Sequence, residues 1–253
     1  MSLGSACWLV GAGALAGVVG TAGGITSLVS YPALLTVGMG PLAANVANLV
    51  ALVACWPGSA LASRRELTGI GRLLALLLPV AAAAGGLGSL VLLATPPGLF
   101  TRMVPVLVLA GSVALVAQPV VMARRRTRGR ANGGAAGVAL GVWVGVLSVY
   151  GGYFGAGSGI MLLAVLLILH DPRLPQANAV KNMLIGAGAL ASAAVFVVSG
   201  PVVWSAVGPL AAGLVLGSLA GPAAARHLPA ATVRWAAAGL GVILAVELWI
   251  HPG

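Results

Sequence analysis

Long runs of apolar residues, parted by short polar breaks, make up almost the whole chain. Reading between the breaks gives eight segments. The first four span about Ser5 to Val37, Leu42 to Ser63, Leu73 to Ala94 and Met103 to Ala123. After a cluster of arginines come Ala135 to Leu169, Ala177 to Ser199, Ser205 to Ala225 and Trp235 to Ile250. Six of them have the length, about 20 residues, that crosses a hydrocarbon core. The apolar positions do not alternate, so a barrel is excluded, and lipid offers no hydrogen-bond partner to an open backbone. The segments are expected to be helices. Segments one and five are too long: a straight helix through either would run about 50 Å against a core of about 30 Å. Each carries a cluster of glycines at its centre, where every glycine costs about 1 kcal/mol against alanine. A break at each cluster is expected, folding the segment into a hairpin that returns to its own side.

The two long segments are related. Gly20-Thr-Ala-Gly-Gly-Ile-Thr-Ser27 leads to Pro41-Leu-Ala-Ala-Asn-Val-Ala-Asn48. Gly152-Tyr-Phe-Gly-Ala-Gly-Ser-Gly159 leads to Pro175-Gln-Ala-Asn-Ala-Val-Lys-Asn182, and both endings fit Pro-x-Ala-x-x-Val-x-Asn. Pro97 to Arg102 is echoed by Pro229 to Arg234. Matches in the same order argue for an internal duplication: a first membrane repeat over residues 1–123, a basic cytoplasmic linker over 124–134 and a second membrane repeat over 135–253. Duplicated halves with interrupted hydrophobic segments at corresponding places are the mark of secondary transporters.

Composition agrees. The chain of 253 residues is 60% hydrophobic and 6% charged, with a mean hydropathy of +1.10. Soluble domains carry about a quarter charged residues, so this chain belongs in a membrane. Its net charge of +10 is not gathered on a soluble domain, which removes nucleic acid as a partner. The basic residues sit between apolar runs as a cytoplasmic topology signal, with contact to anionic lipid as an accompaniment. Cys7 and Cys55 lie in apolar runs as small hydrophobes, without metal-like spacing. Met1 to Ser5 lacks the positive region of a secretory signal and reads as the start of a retained segment.

The charges also choose between topologies. If each long segment crosses once, the halves run parallel, and Arg102, Arg173, Arg226 and Arg234 fall outside. If each returns to its own side, the second half is inverted and Arg102 alone is left outside. The positive-inside rule prefers the inverted arrangement. The expected fold is thus an all-α polytopic membrane protein of two inverted repeats, each a glycine-broken segment followed by three membrane helices.

The glycine clusters, the Pro-x-Ala-x-x-Val-x-Asn pieces and the duplicated halves resemble the TauE/SafE family of sulfite and organosulfonate exporters. In that family each half opens with a stretch like Gly-x-Gly-Gly-Gly, apolar residues and a proline. Gly155-Ala-Gly-Ser-Gly159 is the better match, with Ala164 where the proline is expected. The first copy keeps Pro32 and degrades the glycines to Gly23-Gly24-Ile-Thr-Ser27. The resemblance covers essentially the whole chain. It implies a multi-pass plasma-membrane transporter for small, often sulfur-containing anions.

A small oxyanion in a membrane needs hydrogen-bond donors and positive potential where water is scarce. Half-helix N-termini supply unpaired N–H groups and about half a positive charge. The candidate substrate-binding residues are therefore Gly23, Gly24, Thr26 and Ser27 at the first break and Gly155, Gly157, Ser158 and Gly159 at the second. The rival role of such glycines is close helix packing. Asn48 and Asn182 occupy equivalent places, where an asparagine either binds ligand or ties helices together. Lys181, the only lysine in the chain, has Ala47 as its counterpart. It either neutralises an anionic substrate or snorkels to the cytoplasmic interface. Glu66 adjoins Arg65 in a loop, Asp171 belongs to a His-Asp-Pro turn, and Glu247 could couple protons. His170, His227 and His251 stand near segment ends, too scattered for a metal site.

The sequence is thus read as a secondary transporter, an exporter of a small anion such as sulfite or an organosulfonate. It works by alternating access between the repeats, without cofactor or metal. There is no phosphate-binding Gly-x-x-x-x-Gly-Lys-Ser/Thr loop, so an ion gradient or the membrane potential supplies the energy. The partners are the anion and the lipid bilayer, and a small-residue face could serve a homo-oligomer. The alternatives are a non-transporting membrane subunit or anchor and, less favoured, an intramembrane enzyme.

Overall fold

In a computed structural model of the chain, residues 1–126, 134–170 and 173–224 are described, with single positions at 235, 239, 242, 243, 246 and 249. The expected eighth segment, most of the linker after Arg126, Asp171, His227, Glu247 and His251 lie outside the described residues. Every regular element among those described is helical. The first long segment is α1 (Leu3–Gly23) and α2 (Thr26–Thr36), broken at the glycine cluster. Gly24 ends α1 in the left-handed conformation, φ 80°, with its N–H returned to Gly20 O. The fifth segment is α7 (Gly134–Tyr153) and α8 (Ser158–Leu169), broken at the second cluster.

The first segment does fold back on itself. The Trp8 indole N–H donates to Thr36 Oγ1 at 3.1 Å, so the end of α2 lies beside the start of α1. Segment two, expected as one helix, is instead α3 (Pro41–Ala51), a 3-10 turn (Leu52–Ala54) and α4 (Cys55–Ala62). Pro57 is the reason. It offers no N–H to the Val53 carbonyl four residues back, and its ring crowds that group, so the ladder tightens just before it. α5 (Gly71–Ala94) keeps its expected bounds closely, while α6 (Pro97–Arg126) starts earlier than hydropathy suggested because Pro97 suits a first helical turn. α9 (Leu174–Ser199) and α10 (Trp204–Ala224) complete the described chain.

Among the described residues, five stretches are long and apolar enough to cross a membrane: Leu3–Gly23, Pro41–Ala62, Gly71–Ala94, Leu174–Ser199 and Trp204–Gly221. Large apolar side chains such as Leu76, Leu90, Val106 and Val198 face outward, as lipid allows and water does not. The protein is a multi-pass membrane protein.

Small residues decide which helices touch. α1 packs chiefly on α10, and α5 on α7 and α9. Along α1, Val10 stands against Gly213, Ala14 against Gly217 and Thr21 against Gly221, so α1 and α10 run parallel. Along α5, Val80 meets Gly145, Gly85 meets Gly152 and Gly88 meets Tyr153, so α5 and α7 also run parallel. Gly85 also abuts Gly188 of α9, where the Ser192 hydroxyl donates to Gly85 O at 3.1 Å. Lipid gives no hydrophobic drive between helices, so this backbone-to-backbone approach and its hydrogen bonds hold the bundle.

Candidate functional site

The two glycine breaks meet. A Cβ on Gly24 would stand 2.7 Å from the Gly159 carbonyl carbon, and one on Gly159 would stand 2.6 Å from Gly24 O. Only bare backbone permits such a crossing. Beside it lies a cavity of about 50 Å³. On a measure where about 10–15 Å³ holds one water, it takes a few waters or one small ion. Gly24, Thr26 and Ser27 line it from one break, and Gly155, Ser158 and Gly159 from the other. Leu49, Leu52, Leu162 and Leu184 close it with apolar surface.

The wall is rich in donors. Thr26–Ser27 and Ser158–Gly159 are the first residues of α2 and α8, and neither helix has a side-chain N-cap. The N–H groups of Leu28, Ser158 and Ile160 already donate to the carbonyls of Ile25, Gly155 and Gly157, which leaves those of Thr26, Ser27 and Gly159 for the cavity, where two positive helix ends meet. Ser27 Oγ accepts from Asn48 Nδ2 at 3.1 Å, which leaves the Ser27 hydroxyl proton free to donate. Ser30 Oγ donates to Asn48 Oδ1 at 2.5 Å. Asn48 thus binds Ser27 and Ser30 behind the wall, orienting Ser27, and does not line the cavity.

Other candidates stand elsewhere. Gly23 ends α1 with open space beside it, and Gly157 packs its backbone against Gly111 of α6. Lys181 and Asn182 cap the C-terminal end of α1: Lys181 Nζ donates to Gly20 O at 3.3 Å and Asn182 Nδ2 to Thr21 O at 3.3 Å. Lys181 is wholly buried and does not snorkel. Among the described residues no carboxylate pairs with it. The macrodipole of α1 offers about half a negative charge there, which favours the protonated amine.

Two further asparagines belong to this framework. Asn178 Nδ2 donates to Thr21 O at 2.9 Å, and Asn45 Nδ2 donates to Tyr153 O at 2.9 Å. Asn178 of α9 thus caps the end of α1, and Asn45 of α3 caps the end of α7. The two asparagines sit one position apart in the Pro-x-Ala-x-x-Val-x-Asn motif. Gly20 O receives the Lys181 ammonium, whereas Gly152 O receives the Ser89 hydroxyl at 3.2 Å. Trp56 also escaped notice. Its indole nitrogen is buried with no hydrogen-bond partner among the described residues.

Fold and site together define a class: an all-helical, multi-pass membrane protein whose two broken helices cross backbone to backbone beside a small polar cavity. The family model described as sulfite exporter TauE/SafE matches residues 8–248, and the chain belongs to that family. Its family is one of membrane transporters. No curated protein and no solved structure was found to match.

Proposed function

We propose that the protein is a carrier, not a catalyst, and moves a small anion such as sulfite or an organosulfonate across the plasma membrane. The observation that carries this reading is the convergence of two uncapped half-helix N-termini on one cavity at the Gly24–Gly159 crossing. N–H groups, the Ser27 and Thr26 hydroxyls and two helix dipoles would hold the anion, with Lys181 adding potential from behind. Asn48 and Asn182 act by holding the wall. A site made by both halves suits alternating access, in which the halves rock about it.

The helix directions support inverted repeats. α4 runs parallel to α10, because Cys55 stands level with Leu214 and Gly58 with Ser218. α9 runs parallel to α5, because Ala81 stands level with Gly188 and Gly86 with Ala191. Residues 200–203 join α9 to α10, and a connection this short sends the next spanning helix back. With α1 parallel to α10 and α7 parallel to α5, the equivalent helices α1 and α7 are then opposed. An inside-negative potential drives an anion outward by about 2.3 kcal/mol per charge per 100 mV, which suffices for export without a coupled ion.

The test is flux in proteoliposomes under an imposed potential, with labelled sulfite and a panel of sulfonates and carboxylates. One anion should move with the potential, and Ser27→Ala should slow it about tenfold while the protein stays folded. No flux of any anion from folded protein would sink the reading and favour a non-transporting membrane subunit.

A further inference from the structure

A second compartment, of about 30 Å³, lies beside the central cavity, and it has its own chemistry. Thr26, Leu52 and Ile185 line both spaces, so these side chains form the partition between them. Beyond the partition the wall is made by Gly20, Thr21, Cys55, Trp56 and Asn182. Three features point to a negatively charged occupant. The first is the Trp56 indole N–H, a buried donor with no partner among the described residues. A buried polar group left unpaired costs about 1–3 kcal/mol, so a ligand that accepts from it is strongly favoured.

Lys181 is the second feature. Its ammonium holds the carbonyl of Gly20, itself a wall residue, and no carboxylate among the described residues cancels its charge. The third is Gly186. A Cβ there would stand 2.6 Å from the Trp56 indole nitrogen, so glycine at 186 is what seats the ring against α9 with its N–H in this space.

We propose that this compartment is a second anion-holding chamber in series with the central cavity, gated by Thr26, Leu52 and Ile185. The inference rests on the anion-carrier reading above and adds an order of events. The anion is first held by the Trp56 N–H in the potential of Lys181. It then passes the partition, where the Thr26 hydroxyl serves both sides, and reaches the two helix N-termini. The chamber recognises a small oxoanion, a sulfonate or sulfate group, by charge and by hydrogen bonding to the indole. Leu52 opens the 3-10 turn ahead of Pro57, which places the partition where the helix ladder is already irregular.

Cys55 in the chamber wall supplies a native reporter. In a Cys7→Ser protein in proteoliposomes, Cys55 labelling is compared between anionic sulfonatoethyl and cationic trimethylammonioethyl methanethiosulfonate. The anionic reagent should react at least about tenfold faster. Methanesulfonate should slow it, and Lys181→Met should abolish the preference. In parallel, Trp56→Phe should raise the KM for flux several-fold with little change in kcat. No labelling by either reagent, equal or reversed charge preference, lack of protection by methanesulfonate, or an unchanged KM would each overturn the chamber. Protected, charge-selective labelling in protein that carries no anion would leave the chamber standing and defeat the carrier reading. Flux with Cys55 insensitive to anions would do the reverse.

Discussion

At the scale of single residues, neighbouring glycines do different work. Gly24 has φ 80° and its missing Cβ leaves room for the Gly159 backbone, whereas Gly23 is helical with nothing within 4 Å of its Cβ position. Gly24→Ala should therefore cost about 2–4 kcal/mol, the left-handed penalty plus a displaced backbone. Gly23→Ala should be neutral or stabilise by up to about 1 kcal/mol through lower unfolded-state entropy. Thermal unfolding in detergent measures both, and an equal response would remove the crossing as a constraint. The sequence marks both glycines alike, since local propensity registers the missing side chain and not what occupies its place. The same limit applies to Lys181: its rarity is visible in the chain, but its partner Gly20 O lies 161 residues away.

At the scale of elements, helix association depends on backbone approach at a few points. A Cβ on Gly217 would run into Ala14 O and stand 2.9 Å from Gly17 Cα. Gly217→Val should push α10 off α1 and cost about 3 kcal/mol, because the contact is backbone on backbone and no side chain can rotate away. Gly208→Val, on the same helix with open space beside it, is the control. A comparable loss of thermal stability in both would refute the packing account. The breaks in segments one and five were legible because glycines cluster where a straight helix would be too long. The break in segment two was not read, although Pro57 stood in plain view. Its effect falls on residues 52–54, several positions upstream, and hydropathy is blind to a lost N–H.

At the scale of the whole molecule, inverted repeats predict which connections share a face. Single cysteines at Gly38, Thr95 and Val202, in protein lacking Cys7 and Cys55, should be labelled from one side of the membrane. Those at Gly69 and Arg173 should be labelled from the other. Parallel repeats would put Arg173 on the face of Thr95, so that one position decides the matter in sided vesicles with an impermeant thiol reagent. The positions of the arginines already favoured inversion, since charge crosses a bilayer at high cost and its placement records topology.

By itself the chain determined its solvent, its helical secondary structure and the two glycine-marked breaks. Apolar run length, glycine, proline and charge act locally or against a featureless bilayer, so no fold is needed to read them. The tertiary structure alone decided what the breaks touch. Gly24 meets Gly159, Asn45 caps α7 and Asn178 caps α1, and Trp56 is seated on Gly186, because α1 leans on α10 and α5 on α7. Those pairings come from surface fit between distant small residues. Fit is a property of two surfaces together, and neither segment carries it alone.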